Sequence, residues 1–449
     1  MNGSEAGLVL IYSVIFLGIS IGIFYFFRRR SISGQEDGFF GKNIVFILLS
    51  AGFLLRIFTG NMVEGYHSDL SLFRSWALAA AHDFTHFYDS GVVSDYPPLY
   101  IYVLSGIGKL SILNQESLDM TLLLKLPSML ADLGTAYLFL KLASRYISEK
   151  AGILIAAFYI FNPAVLANST LWGQVDSFFT LLVVSAVVLL AEKRLKSAAA
   201  FFAASVLMKP QGIIFLPILF FELVRRKSFS DTVQAMASFL LTGAFIILPF
   251  SGLRGGLGLI DVFRNTIGEY PYASVNGFNF FYLLGGNFRD DTLSFIGLSY
   301  HTWGMAFIVI ITFGAWLLFI FGKEKVAPAS ALVLITGVFT FSVSMHERYL
   351  FPAVALSILC FIYLRDRKML YLMMGFSLTS FINTYVILWQ AESRAHSHSL
   401  FLERIGDLTA AGNIILFLFL VISLYKMKKG RGINISAESG IELDDIKKH

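Results

Sequence analysis

The chain has 449 residues, of which 56% are hydrophobic and only 14% are charged, whereas soluble domains carry about 25% charged residues. Together with a mean hydropathy of +0.70, this composition excludes a soluble globular protein and predicts an all-α, polytopic integral membrane protein. The net charge of +5 is interpreted as loop charge that sets membrane topology, not as a nucleic-acid-binding surface. Cys360 is the only cysteine, so an intramolecular disulfide is also excluded.

Apolar runs long enough to cross a membrane recur along the chain. Several are shorter than about 20 residues, so tilted, re-entrant or cavity-lining segments are expected among them. No signal-type cleavage site follows the first run, which is therefore predicted to be a retained span. The polar tail from Gly430 is predicted to be cytoplasmic and disordered. The roughly thirteen predicted spans are 8–27, 43–60, 121–143, 151–168, 176–191, 198–209, 211–224, 233–250, 303–321, 328–345, 349–364, 369–388 and 409–426.

Clusters of Lys and Arg stand at one set of span ends, for example at 193–196, 225–227 and 365–368. The positive-inside rule places these ends in the cytoplasm, provided that 98–113 is an interfacial helix and does not cross the membrane. One transmembrane domain, 1–429, then precedes the tail 430–449, in a cell membrane with the active site on the extracytoplasmic face. The loops gathered on that face are 61–120, 172–176, 209–211, 251–302, 346–348 and 389–408.

The first outer loop holds the leading candidate for a functional acid. Asp69 follows a predicted span, and the rigid corner Asp95-Tyr96-Pro97-Pro98 comes later in the same loop. Ionisable residues at a membrane are functional candidates by default, yet Asp69 could equally be a helix N-cap. Asp95 is more typical of an acid that supports the backbone before a Pro-Pro turn.

Three further outer segments carry polar side chains. Residues 172–176 either bind a ligand or form a plain interhelical turn, and Lys209-Pro210-Gln211 could be only a helix end. The triplet 346–348 is suited to bind a phosphate, with the acid orienting the arginine. Asp132, inside a span, is interpreted as satisfying neighbouring helices. The candidates in these outer segments are Trp172, Gln174, Asp176, Lys209, Gln211, His346, Glu347 and Arg348.

Motifs for nucleotides and metals are missing from the sequence. There is no GxGxxG after a strand and no Walker-type GKS or GKT, which argues against an ATP-driven pump and against the usual nucleotide-sugar fold. No cysteine cluster or suitably matched histidine pair predicts a zinc site. We therefore expect no metal, no cofactor and no nucleic-acid partner.

The segments GYHSDLSLF, DYPPLY, NPAVLANSTLWGQVDS, MKPQGIIFLP and SMHERYLFP, in this order over residues 60–355, resemble the GT-C glycosyltransferases. Bacterial mannosyltransferase-like proteins and the eukaryotic glucosyltransferases that extend the lipid-linked N-glycan precursor are the most similar. The chain departs from that pattern in its additional first span, 8–27, and in Arg348, which stands where a lysine is usual.

The resemblance implies transfer of a hexose, with mannose favoured, from a polyprenyl-phosphate-linked donor to a hydroxyl of a glycan, lipid or protein acceptor. Asp69 would be the general base of an inverting reaction. Arg348, His346 and Lys209 would bind the phosphate, and Trp172 with the pair Tyr270/Tyr272 would stack on sugars. The alternatives are a transporter or flippase of a lipid-linked substrate, a metal-dependent oligosaccharyltransferase-like enzyme with Asp69 and Asp176 as ligands, and a polysaccharide ligase or polymerase.

Overall fold

The computed structural model describes residues 3–29, 42–114, 118–250, 262–264, 266, 268–322, 325–392 and 400–445. Parts of the predicted outer loops, 251–261 and 393–399, lie outside these described residues, as does the end of the tail at 446–449. Within the described residues the chain is almost entirely helical, and its one sheet is a two-stranded hairpin of Ser294–Phe295 and Leu298–Ser299.

The first eleven α-helices include α3 and α4, which lie in the predicted first outer loop. They are α1 Gly3–Arg29, α2 Lys42–Met62, α3 His67–His82, α4 Pro98–Leu113, α5 Met120–Tyr146, α6 Glu149–Ile160, α7 Pro163–Leu166, α8 Asp176–Ala191, α9 Leu195–Met208, α10 Leu216–Arg226 and α11 Phe229–Ile247. A π-helix, Ala167–Trp172, continues α7, and a 3₁₀-helix, Pro210–Phe215, joins α9 to α10. The later helices are Phe280–Leu283, Tyr300–Phe321, Ala327–Phe341, Pro352–Leu364, Lys368–Glu392 and Leu400–Asp445.

The prediction of an all-α polytopic membrane protein is confirmed. Seven described helices are long and apolar enough to cross a membrane, or eight if the bent pair formed by Glu149–Ile160 and Pro163–Trp172 is one span. Every predicted span coincides with helical structure, but several of those helices have only 10–17 residues. The total of about thirteen crossings therefore stays a prediction, since a full crossing takes about 20 residues.

The tail differs from the prediction. The last helix extends to Asp445, so its backbone continues through the segment from Gly430 that we predicted to be disordered. The division into a domain 1–429 and a tail stays a prediction.

The predicted first outer loop, 61–120, folds into the packed helix pair α3 and α4. The two helices touch closely because Gly108 of α4 has no side chain: a Cβ there would lie 2.1 Å from the carbonyl oxygen of Ala77. Ser105 Oγ also donates a hydrogen bond to Ala80 O (3.0 Å). Phe73 packs edge-on against Tyr100, and both are buried. The loop is thus a packed element that can hold Asp69 in a fixed position.

Candidate functional site

Asp69 lies in the first turn of α3, and it does not cap that helix. The N-cap position is Tyr66, whose side chain makes no capping hydrogen bond, so the N-cap interpretation of Asp69 is wrong. Its Oδ2 instead accepts hydrogen bonds from Trp172 Nε1 (2.7 Å) and from Gln174 Nε2. Two residues from a distant part of the chain therefore orient this carboxylate.

Those two partners come from the π-helix Ala167–Trp172 and the turn that follows it. Gly173 ends the π-helix with a φ of +88°, which favours glycine. Tyr66 stacks on Trp172 with ring centroids 4.6 Å apart, and its backbone N–H donates to Trp172 O (2.9 Å). π-Helical turns are rare in proteins overall, but those that occur are often found at functional sites. This turn delivers an indole N–H and an amide N–H to one acid.

Asp176 begins α8 and forms a buried ion pair. Its Oδ1 accepts from Lys209 Nζ, and its Oδ2 accepts from Asn168 Nδ2 (2.9 Å). The Lys209 ammonium also lies over the rings of Tyr96 (5.8 Å) and Tyr349 (5.6 Å). Because the N-cap of α8 is Val175, Asp176 is not a capping residue, and the plain-turn interpretation of 172–176 does not describe it.

Arg348 lies between the two acids. Its Nη2 is 3.9 Å from Asp69 Oδ2 and its Nε is 3.9 Å from Asp176 Oδ2, too far for hydrogen bonds. Nε has no hydrogen-bond partner among the described atoms. Glu347 accepts from Nη1 (2.5 Å) and Trp172 lies 5.4 Å from the guanidinium carbon. Glu347 and Trp172 therefore contact one part of the guanidinium, whereas its Nε–Nη2 edge makes no hydrogen bond to a described atom.

His346 and Tyr270 form the wall beside Arg348. Their rings meet edge to face at 4.5 Å, and backbone pairing joins the two segments: Val275 N–H donates to Met345 O (3.0 Å). Burial and the neighbouring cations hold the pKa of His346 well below its usual value, so the imidazole is neutral at pH 7. Tyr272, predicted as a second stacking residue, packs against Phe288 instead.

These side chains surround a cavity of about 320 Å³. It brings together nine of the residues predicted from the sequence, whereas Trp172, Asp176 and Glu347 stand behind them as hydrogen-bond or ion-pair partners. The predicted residues that line the cavity are Asp69, Asp95, Tyr96, Gln174, Lys209, Gln211, Tyr270, His346 and Arg348.

Sequence reasoning missed Glu269, Thr266 and Tyr349, which also line the cavity. Glu269 directly precedes a predicted residue, but nothing in the sequence distinguishes it from other loop acids. Burial raises the pKa of Asp95, and burial and the Asp95 charge raise the pKa of Glu269. Thr266 Oγ1 donates to the carbonyl of Asp95 (3.1 Å). The cavity therefore carries two acids, Asp95 and Glu269, as well as the two cations Lys209 and Arg348, and we refer to the two acids as the acidic wall.

The alternative in which Asp69 and Asp176 bind a metal does not fit this geometry. The Arg348 guanidinium already lies between the two carboxylates, 3.9 Å from each, and provides the positive charge. Across the described part of the chain, no group of three or more His, Cys, Asp and Glu side chains could hold a metal ion.

The fold and the site together define a multi-pass, all-α membrane protein with a polar, mixed-charge pocket built from loops at one end of its helices. The sequence model of the family described as GPI transamidase subunit PIG-U matches residues 76–273 of the chain, somewhat less than half of it. No curated protein matches. The matched segment includes Asp95, Trp172 and Lys209, but it ends before 346–348 and begins after Asp69.

This match supports the coarser part of the resemblance, a multi-pass membrane family of the GT-C-like type, and not the bacterial mannosyltransferases. The predicted function, hexose transfer from a polyprenyl-phosphate donor, is wrong, because the matched family is a GPI transamidase subunit. The transporter, oligosaccharyltransferase-like and polysaccharide ligase alternatives do not agree with it either. The physical reason is that one helical scaffold with polar outer loops serves many chemistries, so fold does not fix function.

Proposed function

We propose that this chain is a substrate-holding subunit of a GPI-transamidase-like membrane complex. Its pocket would bind the phosphorylated headgroup of a membrane glycolipid on the extracytoplasmic face and hold it for a partner that makes the new bond. A glycosylphosphatidylinositol is a glycolipid that contains phosphate, so the name of the matched family and the chemistry of the pocket point to the same class of ligand.

The observation that carries the proposal is the unbonded edge of Arg348. Its Nε–H and Nη2–H point the same way and match two phosphate oxygens in a bidentate pair. Neither Asp69 nor Asp176 is near enough to bond to this edge, and Lys209 adds a second buried cation on the same wall. Arg348 lines the cavity with 14% of its side chain exposed, and its buried Nε has no partner among the described atoms, so this side chain is suited to an anion that enters the cavity.

The other polar residues of the cavity are suited to the glycan part of such a headgroup. Asp95 and Glu269 are acceptors for hydroxyl or ammonium groups, and Gln211 can both donate and accept. Tyr270, 38% exposed, offers a ring face on which a sugar can pack. Cations for a phosphate, together with polar hydrogen-bonding groups for sugars, fit a phosphoglycolipid better than a simple phospholipid.

The described residues favour holding over bond-making. Amide exchange needs an activated nucleophile, most often a cysteine or serine beside a base. Cys360, the only cysteine of the chain, is fully buried in the apolar helix Pro352–Leu364 and does not line the pocket. Ser344 and His346 do line it, but no hydrogen bond joins the Ser344 hydroxyl to a base among the described residues. A partner subunit would then supply the nucleophile.

The test is direct binding of a glycosylphosphatidylinositol to the full-length protein in nanodiscs, with a neutral glycosyl-diacylglycerol as the comparison lipid. We expect tighter binding of the phosphorylated lipid. Arg348→Gln should weaken it about 10- to 100-fold, because a charge-assisted hydrogen bond contributes about 1.5–3 kcal/mol. The affinity of Arg348→Lys should lie between those of wild type and Arg348→Gln, since lysine keeps the positive charge but cannot form a bidentate pair.

Arg145→Gln is the matched control. Arg145 also pairs with a glutamate, Glu192, but its side chain is 68% exposed and it lies at the opposite end of α5 from the pocket. Its removal should leave lipid affinity unchanged. Equal affinity of wild type and Arg348→Gln for the phosphorylated lipid, or no preference over the neutral one, would contradict the proposal.

A further inference from the structure

A line of buried polar residues runs along α5, one of the candidate membrane spans. Lys125, Ser128, Asp132 and Thr135 follow the spacing of one helix face, and none is more than 2% exposed. Ionisable groups at this depth are energetically unfavourable and are typical of functional positions. None of the four lines the pocket described above, and we refer to the first three as the α5 polar face.

Asp132 pairs with Arg56 of α2. Asp132 Oδ2 accepts from Arg56 Nε (2.9 Å) and from Ser169 Oγ (2.6 Å). Arg56 Nη1 also donates to the carbonyls of Gly52 (3.1 Å) and Ile160 (2.8 Å). Arg56 and Asp132 are both 0% exposed. The ion pair thus joins α2, α5, the end of α6 and the π-helix at one point.

The other two members of the α5 polar face lead to the same place. Ser128 Oγ donates to Gln174 O (2.7 Å), in the turn after the π-helix. Lys125 Nζ donates to the carbonyls of Gly60 (3.1 Å) and Val63 (2.5 Å), in the turn that leads to Tyr66 and α3. The segment that leads to Asp69 and the turn that carries Gln174 are therefore both hydrogen-bonded to α5.

We infer that the α5 polar face, with Arg56, is a positioning device for the pocket: it fixes the π-helix Ala167–Trp172 and the turn after it. Trp172 and Gln174 then bond to the Asp69 carboxylate, and Asn168 bonds to Asp176. Ser169, three residues before Trp172, is the link between the ion pair and the π-helix. For its effect on ligand binding the inference rests on the proposed function.

A purely structural role makes a different prediction from a positioning role. Replacing a buried ion pair by apolar residues of similar size is often neutral for stability. The double variant Arg56→Met/Asp132→Leu should therefore fold with a melting temperature near that of wild type. If the pair positions the π-helix, the same variant should expose residues 167–176 to faster amide exchange and bind phosphoglycolipid about 3- to 10-fold more weakly, as for the loss of one or two hydrogen bonds.

Ser169→Ala isolates the link, because it removes one hydroxyl and leaves the ion pair intact. Its control is Ser357→Ala, which removes an equally buried hydroxyl bonded to Val354 O (2.9 Å) in another helix. We expect faster exchange at 167–176 in Ser169→Ala and unchanged exchange there in Ser357→Ala. The measurement is hydrogen–deuterium exchange followed by mass spectrometry on the ligand-free protein in nanodiscs.

The two readouts separate the inference from the proposed function. Faster exchange at 167–176 in both variants supports positioning even if wild type binds no phosphoglycolipid, an outcome that would contradict the proposed function alone. Unchanged exchange at 167–176 in the stable double variant and in Ser169→Ala would overturn the inference, whatever the lipid measurements give.

Discussion

Two clusters of similar chemistry lie at opposite ends of the helices, and only one of them is built like a site. Glu192 accepts from Tyr146 (2.5 Å), Tyr363 (2.9 Å) and Arg145 (3.3 Å). Lys325 donates to the Tyr146 hydroxyl (2.8 Å) and lies 4.1 Å from the centre of that ring. Here each cation has a partner and each partner bonds again, so the cluster ties helix ends together.

The pocket around Arg348 uses the same residue types differently. Arg348 Nε and His346 Nε2 have no hydrogen-bond partner among the described atoms, and both residues line a cavity of about 320 Å³. Buried polar groups without partners are unfavourable by about 1–3 kcal/mol each. A cluster in which every polar group has a hydrogen-bond partner stabilises the fold. A cluster that keeps polar groups without partners can still bind a ligand.

The largest effect should come from breaking the buried pair in the pocket. Lys209→Met leaves Asp176 charged and buried, which should destabilise the protein by about 3–5 kcal/mol. The matched change at the other cluster, Lys325→Met, removes a half-buried cation and should cost about 1 kcal/mol or less. Chemical denaturation in detergent measures both. Equal losses of stability in Lys209→Met and Lys325→Met would contradict the difference in burial between the two clusters.

A smaller effect should separate affinity from stability. Trp172→Phe removes the indole donor to Asp69, and we expect phosphoglycolipid binding to weaken about 10-fold, as for one charge-assisted hydrogen bond. Tyr146→Phe removes a donor to Glu192 and should lower stability by about 1 kcal/mol without changing affinity. Lipid binding and thermal unfolding are measured on each variant. A change of affinity in Tyr146→Phe would show that the two clusters are coupled.

The smallest expected effect is on pH dependence. The pKa of Asp95 and that of Glu269 are raised, so both acids begin to take up protons above the ordinary carboxyl range of about 3.9–4.3. Their protonation removes negative charge facing the anion site. Affinity for the phosphorylated lipid should therefore rise a few-fold, on the order of 2–5, as pH falls from 7.5 to 5.5.

Glu269→Gln should make that rise smaller, because the glutamine cannot titrate and only Asp95 remains. Burial and the neighbouring cations lower the pKa of His346, which disfavours a contribution from its protonation. At the other cluster the pKa of Glu192 is lowered, burial being outweighed by the hydroxyls of Tyr146 and Tyr363. A lowered carboxyl pKa contributes stability that is lost only as pH falls through the folded-state value, so stability from Glu192 should not change between pH 7.5 and 5.5. An affinity independent of pH in wild type would contradict the acidic-wall description.

Much of the fold follows from sequence alone, because each span satisfies its own backbone hydrogen bonds and needs only a continuous apolar run. The predicted runs coincide with helices, and 98–113, predicted as an interfacial helix, is a helix too. The π-helix was not predictable, since a run such as ANSTLW has no period that distinguishes it from an α-helical turn. Glu269 was missed because its significance depends on the distant Asp95.

The sequence by itself determined the class of protein and a set of polar residues that a membrane protein does not place at random: Asp69, the 172–176 segment, Lys209 and 346–348. Only the tertiary structure decided what each one does. Asp69 bonds to Trp172 and Gln174, more than 100 residues away, and Arg348 keeps one edge free. Hydrogen bonds require contacts within about 3 Å and specific angles, and such long-range geometry is created only when the spans pack together.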